Sequence, residues 1–173
     1  MLDRPTAIAA LQELAAILDE SGVEARVYVV GGAAMLLAYG ATRSTRDIDA
    51  VFEPTGPVRK AVLQVAESLD LPDDWLNDAV KGFVPGTDPD AVPIFRRPGL
   101  EVAAASARFL LGMKLLAARA ERDTDDILAL SRLLGLRTAA DVLAVVTSLY
   151  PERLLSPRTR FLVEELFSDP DTA

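Results

Sequence analysis

Two aspartates, Asp47 and Asp49, lie in the stretch YVVGGAAMLLAYGATRSTRDIDAVF, Tyr28 to Phe52, and are the side chains of this sequence best placed for chemistry. Arg46 to Phe52 reads as a strand, in which residues two apart project to one face. Asp47 and Asp49 therefore point together while Ile48 turns into the other layer. Neighbouring carboxylates repel unless a cation or a proton sits between them. Aspartate is also a poor strand former, and an unpaired buried carboxylate is costly. The strand is thus either exposed, or the pair holds something positive. Paired hard oxygen donors are what magnesium uses when it also holds substrate phosphates. The rival reading is a strand edge whose carboxylates are salt-bridged to Arg43 and Arg46.

The glycine pair upstream adds a second chemical element. Gly31-Gly32 follows an apolar run and opens a helix, where unpaired backbone N–H groups and the helix dipole favour an anion. The missing side chains let a phosphate approach the backbone closely. Taken alone, the glycines read first as a tight strand-to-helix turn with close packing.

The elements that must position these residues follow from periodicity and breakers. Pro5 to Ser21 is an amphipathic helix carrying Ile8, Leu11, Leu14 and Leu18, with Pro5 in the first turn and Gly22 at the stop. Arg26 to Val30 is a short strand, Gly31 to Tyr39 a helix closed by Gly40, and Arg46 to Phe52 the second strand. Pro54-Thr55-Gly56-Pro57 breaks the chain before a helix over Val58 to Leu69. Asp74 to Asp78 suits a helical turn or two, and Gly82 to Pro89 is a loop. Val92 to Phe95 and Leu100 to Ala103 are strand candidates forming a hairpin or one bent edge. Beyond Ser106 the pattern is helical: Arg108 to Glu121, Thr124 to Leu134, Thr138 to Leu149 and Pro157 to Phe167. The expected fold class is α/β (α+β), with a core over residues 1–105 and a short helical bundle over 106–173, the two packed as one compact unit.

Composition narrows the chemistry further. The chain has 173 residues, half of them hydrophobic and a quarter charged, a globular balance. No apolar run approaches the roughly 20 residues of a membrane span. Acidic residues interrupt any signal-peptide pattern at the N-terminus, so a cytoplasmic location is expected. There is no cysteine and no histidine. That removes serine–histidine and cysteine–histidine hydrolysis and histidine- or thiolate-held zinc. A metal here must be oxygen-ligated: magnesium, manganese or calcium. The net charge of -8 argues against nucleic-acid binding by the surface as a whole.

Together, the glycine pair, its helix, Arg43-Ser44-Thr45-Arg46 and Asp47-Ile48-Asp49 resemble the DNA-polymerase-beta-like nucleotidyltransferase superfamily. Within it, "GG…TRSTRDID" is most similar to the stand-alone bacterial group related to abortive-infection and toxin–antitoxin nucleotidyltransferases. "LLGMKLLAARAERDTDDI" resembles that group's later helical motifs at Lys114, Arg122, Asp123 and Asp126. "WLND", Trp75 to Asp78, is similar to an uncharacterised branch. The resemblance spans residues 28 to 127.

The resemblance implies a nucleotidyltransferase fold with a small mixed sheet, and transfer of a nucleoside monophosphate from a nucleoside triphosphate to an acceptor hydroxyl. It implies Mg2+ (or Mn2+) on Asp47 and Asp49. A third acidic ligand, usually aspartate in the superfamily, would be Glu101, which strand alternation turns away from the face of Leu100 and Val102. Gly31, Gly32, Arg43, Thr45, Arg46 and Asp126 would contact the nucleotide. Lys114 would assist catalysis from an apolar helix, or else snorkel past the core. The arginines could equally pair with surface carboxylates, and Asp126 with Lys114. Asp123 is expected at a helix start, Trp75 in packing, and Arg119, Arg122, Arg132 and Arg137 on a solvated face. RNA, tRNA or a protein hydroxyl is the expected acceptor, with an antitoxin as partner and no membrane. The same residues admit a second reading, a non-catalytic nucleotide-binding or scaffold protein that retains the fold.

Overall fold

Strict alternation of side chains sets the sheet. The computed structural model describes residues 1–117 and 120–168, with only the backbone at 120–122. In β1 (Ala25–Val29), Val27 and Val29 are buried while Arg26 and Tyr28 face the other way. In β2 (Ile48–Glu53), Ile48, Ala50 and Phe52 are buried and Asp49, Val51 and Glu53 are not. The chain divides into two compact units, Met1–Gly82 with Asp90–Ala105, and Phe83–Pro89 with the chain from Ser106 onward.

The first unit holds a five-stranded mixed sheet of order β3-β2-β1-β5-β4. Its remaining strands are β3 (Leu76–Asn77), β4 (Val92–Arg97) and β5 (Leu100–Ala104). β1 runs antiparallel to β2 and parallel to β5; β2 is parallel to β3, and β4 antiparallel to β5. Helix α1 (Arg4–Glu20) starts at Asp3, whose carboxylate accepts from the Thr6 amide at 2.9 Å. It buries Leu11, Leu14 and Leu18 against α3 (Thr55–Leu69) and β5. Between β1 and β2 runs α2 (Gly31–Ala38). The architecture is the mixed α/β fold expected of a nucleotidyltransferase.

Two local expectations are revised. The strand expected from Arg46 begins at Ile48, whose N–H donates to the Trp75 carbonyl at 2.7 Å. The helical turn expected near Asp74 to Asp78 is instead β3. Trp75 is fully buried there, with its indole N–H on the Val62 carbonyl at 3.0 Å, and Leu76 buries beside it. Burial and pairing with a strand far off in sequence override local turn preference.

In the second unit, α4 (Ala107–Ala117) packs against α5 (Ala120–Leu133) and α6 (Ala139–Leu149), and α7 (Pro157–Leu166) against α5 and α6. Asp88 accepts from the Ser106 amide at 2.8 Å, and the Tyr150 hydroxyl donates to the Phe83 carbonyl at 2.7 Å, which ties segment 83–89 to these helices. Burial pushes the Tyr150 hydroxyl up to about 12. Among the described residues no helix is long and apolar enough to cross a membrane.

Pro98 and Gly99 turn the β4–β5 hairpin directly against α1. Gly99 has φ +79, and a Cβ there would stand 2.5 Å from both the Ala15 carbonyl oxygen and the Asp19 nitrogen. Gly22 has a similar φ, +66, with open space around it. Gly99→Ala should therefore cost about 2–4 kcal/mol in urea unfolding, against about 1 kcal/mol for Gly22→Ala, where only the backbone conformation is strained. Equal losses would show that the close approach to α1 contributes nothing.

Candidate functional site

The start of α2 and the start of β2 meet at one corner of the sheet. Gly31 has φ +63, and a Cβ on it would lie 3.5 Å from Asp49 Oδ2. A Cβ on Gly32 would lie 3.4 Å from Thr45 Oγ1. The Val30 amide donates to the Asp49 carbonyl at 2.9 Å, which fixes helix start to strand. No side chain caps α2 at Val30. The first-turn N–H groups that a helix leaves without intrahelical partners thus sit next to a carboxylate and a hydroxyl.

Asp47 stands just before β2 and is clamped twice. The Thr45 hydroxyl donates to its carbonyl at 2.9 Å, and Asn77 Nδ2 approaches its Oδ2 at 3.4 Å. Its carboxyl is pushed above the ordinary aspartate range, first by partial burial and then by the charge of Asp49; Arg46 offsets part of this. Arg46 itself pairs with Asp74 at 3.1 Å, both side chains being well exposed. Such a pair is worth at most about 1 kcal/mol. Arg43 is exposed in the connection between α2 and β2.

Glu101 is not part of this corner, and its expected role as third acidic ligand is corrected. The register aligns Glu53 of β2, Arg26 of β1, Glu101 of β5 and Arg96 of β4 in one row across the sheet. Signs alternate along that row, and Glu101 lies 3.9 Å from Arg26. Cross-strand pairs of opposite charge stabilise a sheet modestly, so the row gives Glu101 a structural partner on each side. Four residues of β2 separate Glu53 from Asp49, about 13 Å of strand. Glu101 does share the sheet face of Asp49, as alternation implied, but at the opposite end. Toward the aspartates, the next β5 residue on that face is Ala103, level with Tyr28 and Val51. A cavity of ≈ 270 Å³ lies over Tyr28, Val51 and Ala103, and one of ≈ 780 Å³ surrounds Arg26, Glu101, Arg96 and Arg97.

Among the described residues no three acidic side chains converge on a metal-sized site. Asp47 and Asp49 lie close enough for their charges to interact, and that repulsion together with the partial burial of Asp47 is what a divalent cation would relieve. The donor set fits one hard cation completed by phosphate oxygens and water. It does not supply a three-carboxylate cluster.

In the second unit, Lys114 is almost buried and ion-paired with Asp123 at 2.8 Å and Asp126 at 2.7 Å. The carboxylates are 13% and 10% exposed, so the triad is nearly dry. Removing Lys114 would cost about 3–5 kcal/mol, because it would leave two near-buried carboxylates without their cation. Asp123 lies within α5 rather than at its start, and Asp126 takes the Lys114 partnership that the sequence left open. Arg132 and Arg137 are exposed, whereas the side chains of Arg119 and Arg122 lie outside the described residues.

Asn77 was missed by sequence reasoning. It pairs in register with Asp49 on β3, a strand whose two residues carry no periodicity to detect. The only available signal was its place in the Trp-Leu-Asn-Asp motif.

A model of one protein family, described as nucleotidyltransferase of unknown function (DUF6036), matches residues 6–133, well over half of the chain. No curated protein and no solved structure matches it significantly.

The raised proton affinity of Asp47 has a stability consequence with a definite sign. Its proton is held more tightly in the folded than in the unfolded chain, so its contribution is favourable in acid. That contribution is lost as pH rises from the ordinary aspartate range through the folded value. Asp47→Asn, which cannot ionise, should therefore raise the thermal midpoint at pH 7 in EDTA. The gain should vanish below about pH 3.5, where the unfolded aspartate is also protonated. A variant no more stable than wild type at pH 7 would show that the carboxylate is not under strain.

Proposed function

We propose, for a chain that belongs to this family of nucleotidyltransferases of unknown function, that it moves a nucleoside monophosphate from a nucleoside triphosphate to an acceptor hydroxyl. The observation that carries this reading is the closeness of Gly31 to the Asp49 carboxylate, whose Oδ2 would stand 3.5 Å from a Cβ on that glycine. An anion-attracting helix start and a cation-attracting carboxylate pair share one corner, which is what a triphosphate with its counter-ion needs.

The residues divide the work. The first-turn amides of α2 bind phosphate oxygens, and the absence of side chains at Gly31 and Gly32 keeps that approach open. The guanidinium groups of Arg43 and Arg46 add donors and positive charge in the same loop, which the Thr45 hydroxyl holds through its bond to the Asp47 carbonyl. Asp47 and Asp49 would hold magnesium or manganese, which when bound neutralises phosphate charge and acidifies an acceptor hydroxyl. As the acceptor oxygen bonds to the α-phosphorus, the bond to the bridging oxygen breaks, pyrophosphate leaves and the acceptor proton is released. Phosphoryl chemistry of this kind depends on positioning and charge neutralisation, so a chain without histidine is not handicapped.

The acceptor we favour is an RNA, tRNA or protein hydroxyl, and the partner a cognate antitoxin, both on the resemblance to stand-alone toxin–antitoxin nucleotidyltransferases. The second reading, a protein that binds the nucleotide without transferring it, is favoured by one observation: Ala103 stands where β5 approaches the aspartates, and among the described residues no third carboxylate joins them in a metal-sized group.

Incubation with α-labelled nucleoside triphosphates, magnesium, total RNA and cell lysate tests the reading. Label on an acceptor and released pyrophosphate are expected, with Asp49→Asn slower by about a thousandfold or more while folding normally. Magnesium-dependent nucleotide binding without transfer would support the second reading, and an Asp49→Asn enzyme of near-normal rate would remove the carboxylate pair from the mechanism.

A further inference from the structure

In the Trp-Leu-Asn-Asp segment, Trp75 to Asp78, three of the four side chains serve to immobilise the fourth. Trp75 is fully buried, with its indole N–H on the Val62 carbonyl of α3. Leu76 is buried and paired with Ile48 of β2. Asp78 accepts two hydrogen bonds from Arg59 Nη2, at 2.8 and 3.0 Å, and this pairing holds its carboxyl below the ordinary range. The segment is thereby fastened to α3 on both sides of Asn77, and to β2 by strand pairing.

Asn77 is left facing the carboxylates. It lies level with Asp49 in the parallel β2–β3 register. Its Oδ1 accepts from the Ala79 amide at 3.2 Å, which fixes the amide so that Nδ2 faces Asp47 Oδ2. The two contacts are mutually consistent, because reversing the amide would set oxygen against oxygen and N–H against N–H. At 3.4 Å the contact to Asp47 is long for a hydrogen bond. It nevertheless gives one carboxylate oxygen, Oδ2, a donor.

We propose that Asn77 is a positioning residue for Asp47: its amide occupies Oδ2 so that the carboxylate presents one defined oxygen to a divalent cation. This rests on the nucleotidyltransferase reading above, in which Asp47 holds that cation. Groups that orient a metal ligand from behind typically alter metal affinity or activity 10- to 100-fold when removed. Asn77 also stands on the side of β2 away from β5, so the corner is built from the β3 side, where a polar side chain is present, rather than from the β5 side, where Ala103 lies.

The test measures manganese binding directly, by electron paramagnetic resonance titration of the whole protein, beside the magnesium dependence of transfer. Asn77→Ala should bind manganese about 10- to 100-fold more weakly. Transfer should need correspondingly more magnesium for half-maximal rate and recover toward the wild-type kcat at saturation. Asn77→Leu, close to asparagine in shape and without the donor, should behave alike and guards against a folding defect in the alanine variant. Arg59→Ala removes one fastening of the segment but leaves the Asn77 amide, the Trp75 anchor and the strand pairing in place, and should lose clearly less manganese affinity than either Asn77 variant. Wild-type affinity in both Asn77 variants would overturn the proposal while leaving the proposed function standing. So would an Arg59→Ala loss as large as that of Asn77→Ala, which would make the role one of general packing. A wild-type protein that binds no manganese would overturn the proposed function, and this proposal with it.

Discussion

Repulsion between Asp47 and Asp49, held partly out of water at the start of α2, is the constraint on which the first unit turns. A chain does not place two carboxylates together without a structure strong enough to hold them. Ile48, Ala50 and Phe52 bury the opposite face of β2, and the Val30 amide pins the Asp49 carbonyl. Thr45 and Asn77 restrain Asp47 from two directions. Hydrophobic burial on one face of the strand thus offsets electrostatic strain on the other. This is the physical link between an ordinary core and an unusual corner.

Charge is arranged differently at the two ends of the open sheet face. At the far end Glu53, Arg26, Glu101 and Arg96 alternate in sign and cancel. At the near end two carboxylates stand together, and the neighbouring Arg46 is engaged with Asp74. Negative charge is therefore concentrated where the α2 amides begin, and neutralised where they are distant. A nucleotide with its counter-ion complements the first end and not the second. The Lys114 triad is a third arrangement: one near-buried ammonium is shared between two carboxylates inside the helical unit.

What the sequence made legible was local. The glycine turn, the amphipathic helices and the placement of Asp49 follow from spacing over a few residues, because backbone freedom and period-two alternation act at that range. What it concealed depended on pairings distant in sequence. β3 was hidden because two residues cannot display a period, and its strand character comes from Ile48 and from the burial of Trp75. Glu101 was assigned to the correct face, but its level along the sheet is set by the register of β5 on β1, which alternation cannot give. Asp123 looked like a helix start because acidic residues cluster there, whereas the near-buried ammonium of Lys114 nine residues earlier set its role.

The most direct test of the cation-holding corner is an anomalous-scattering map from crystals soaked with manganese and a non-hydrolysable nucleoside triphosphate. A manganese peak within ligand distance, about 2.1 to 2.3 Å, of carboxylate oxygens from both Asp47 and Asp49 is expected, with the phosphates at the first turn of α2. Manganese and phosphates seated instead at the Arg26–Glu101 end of the sheet, with none between the aspartates, would contradict it.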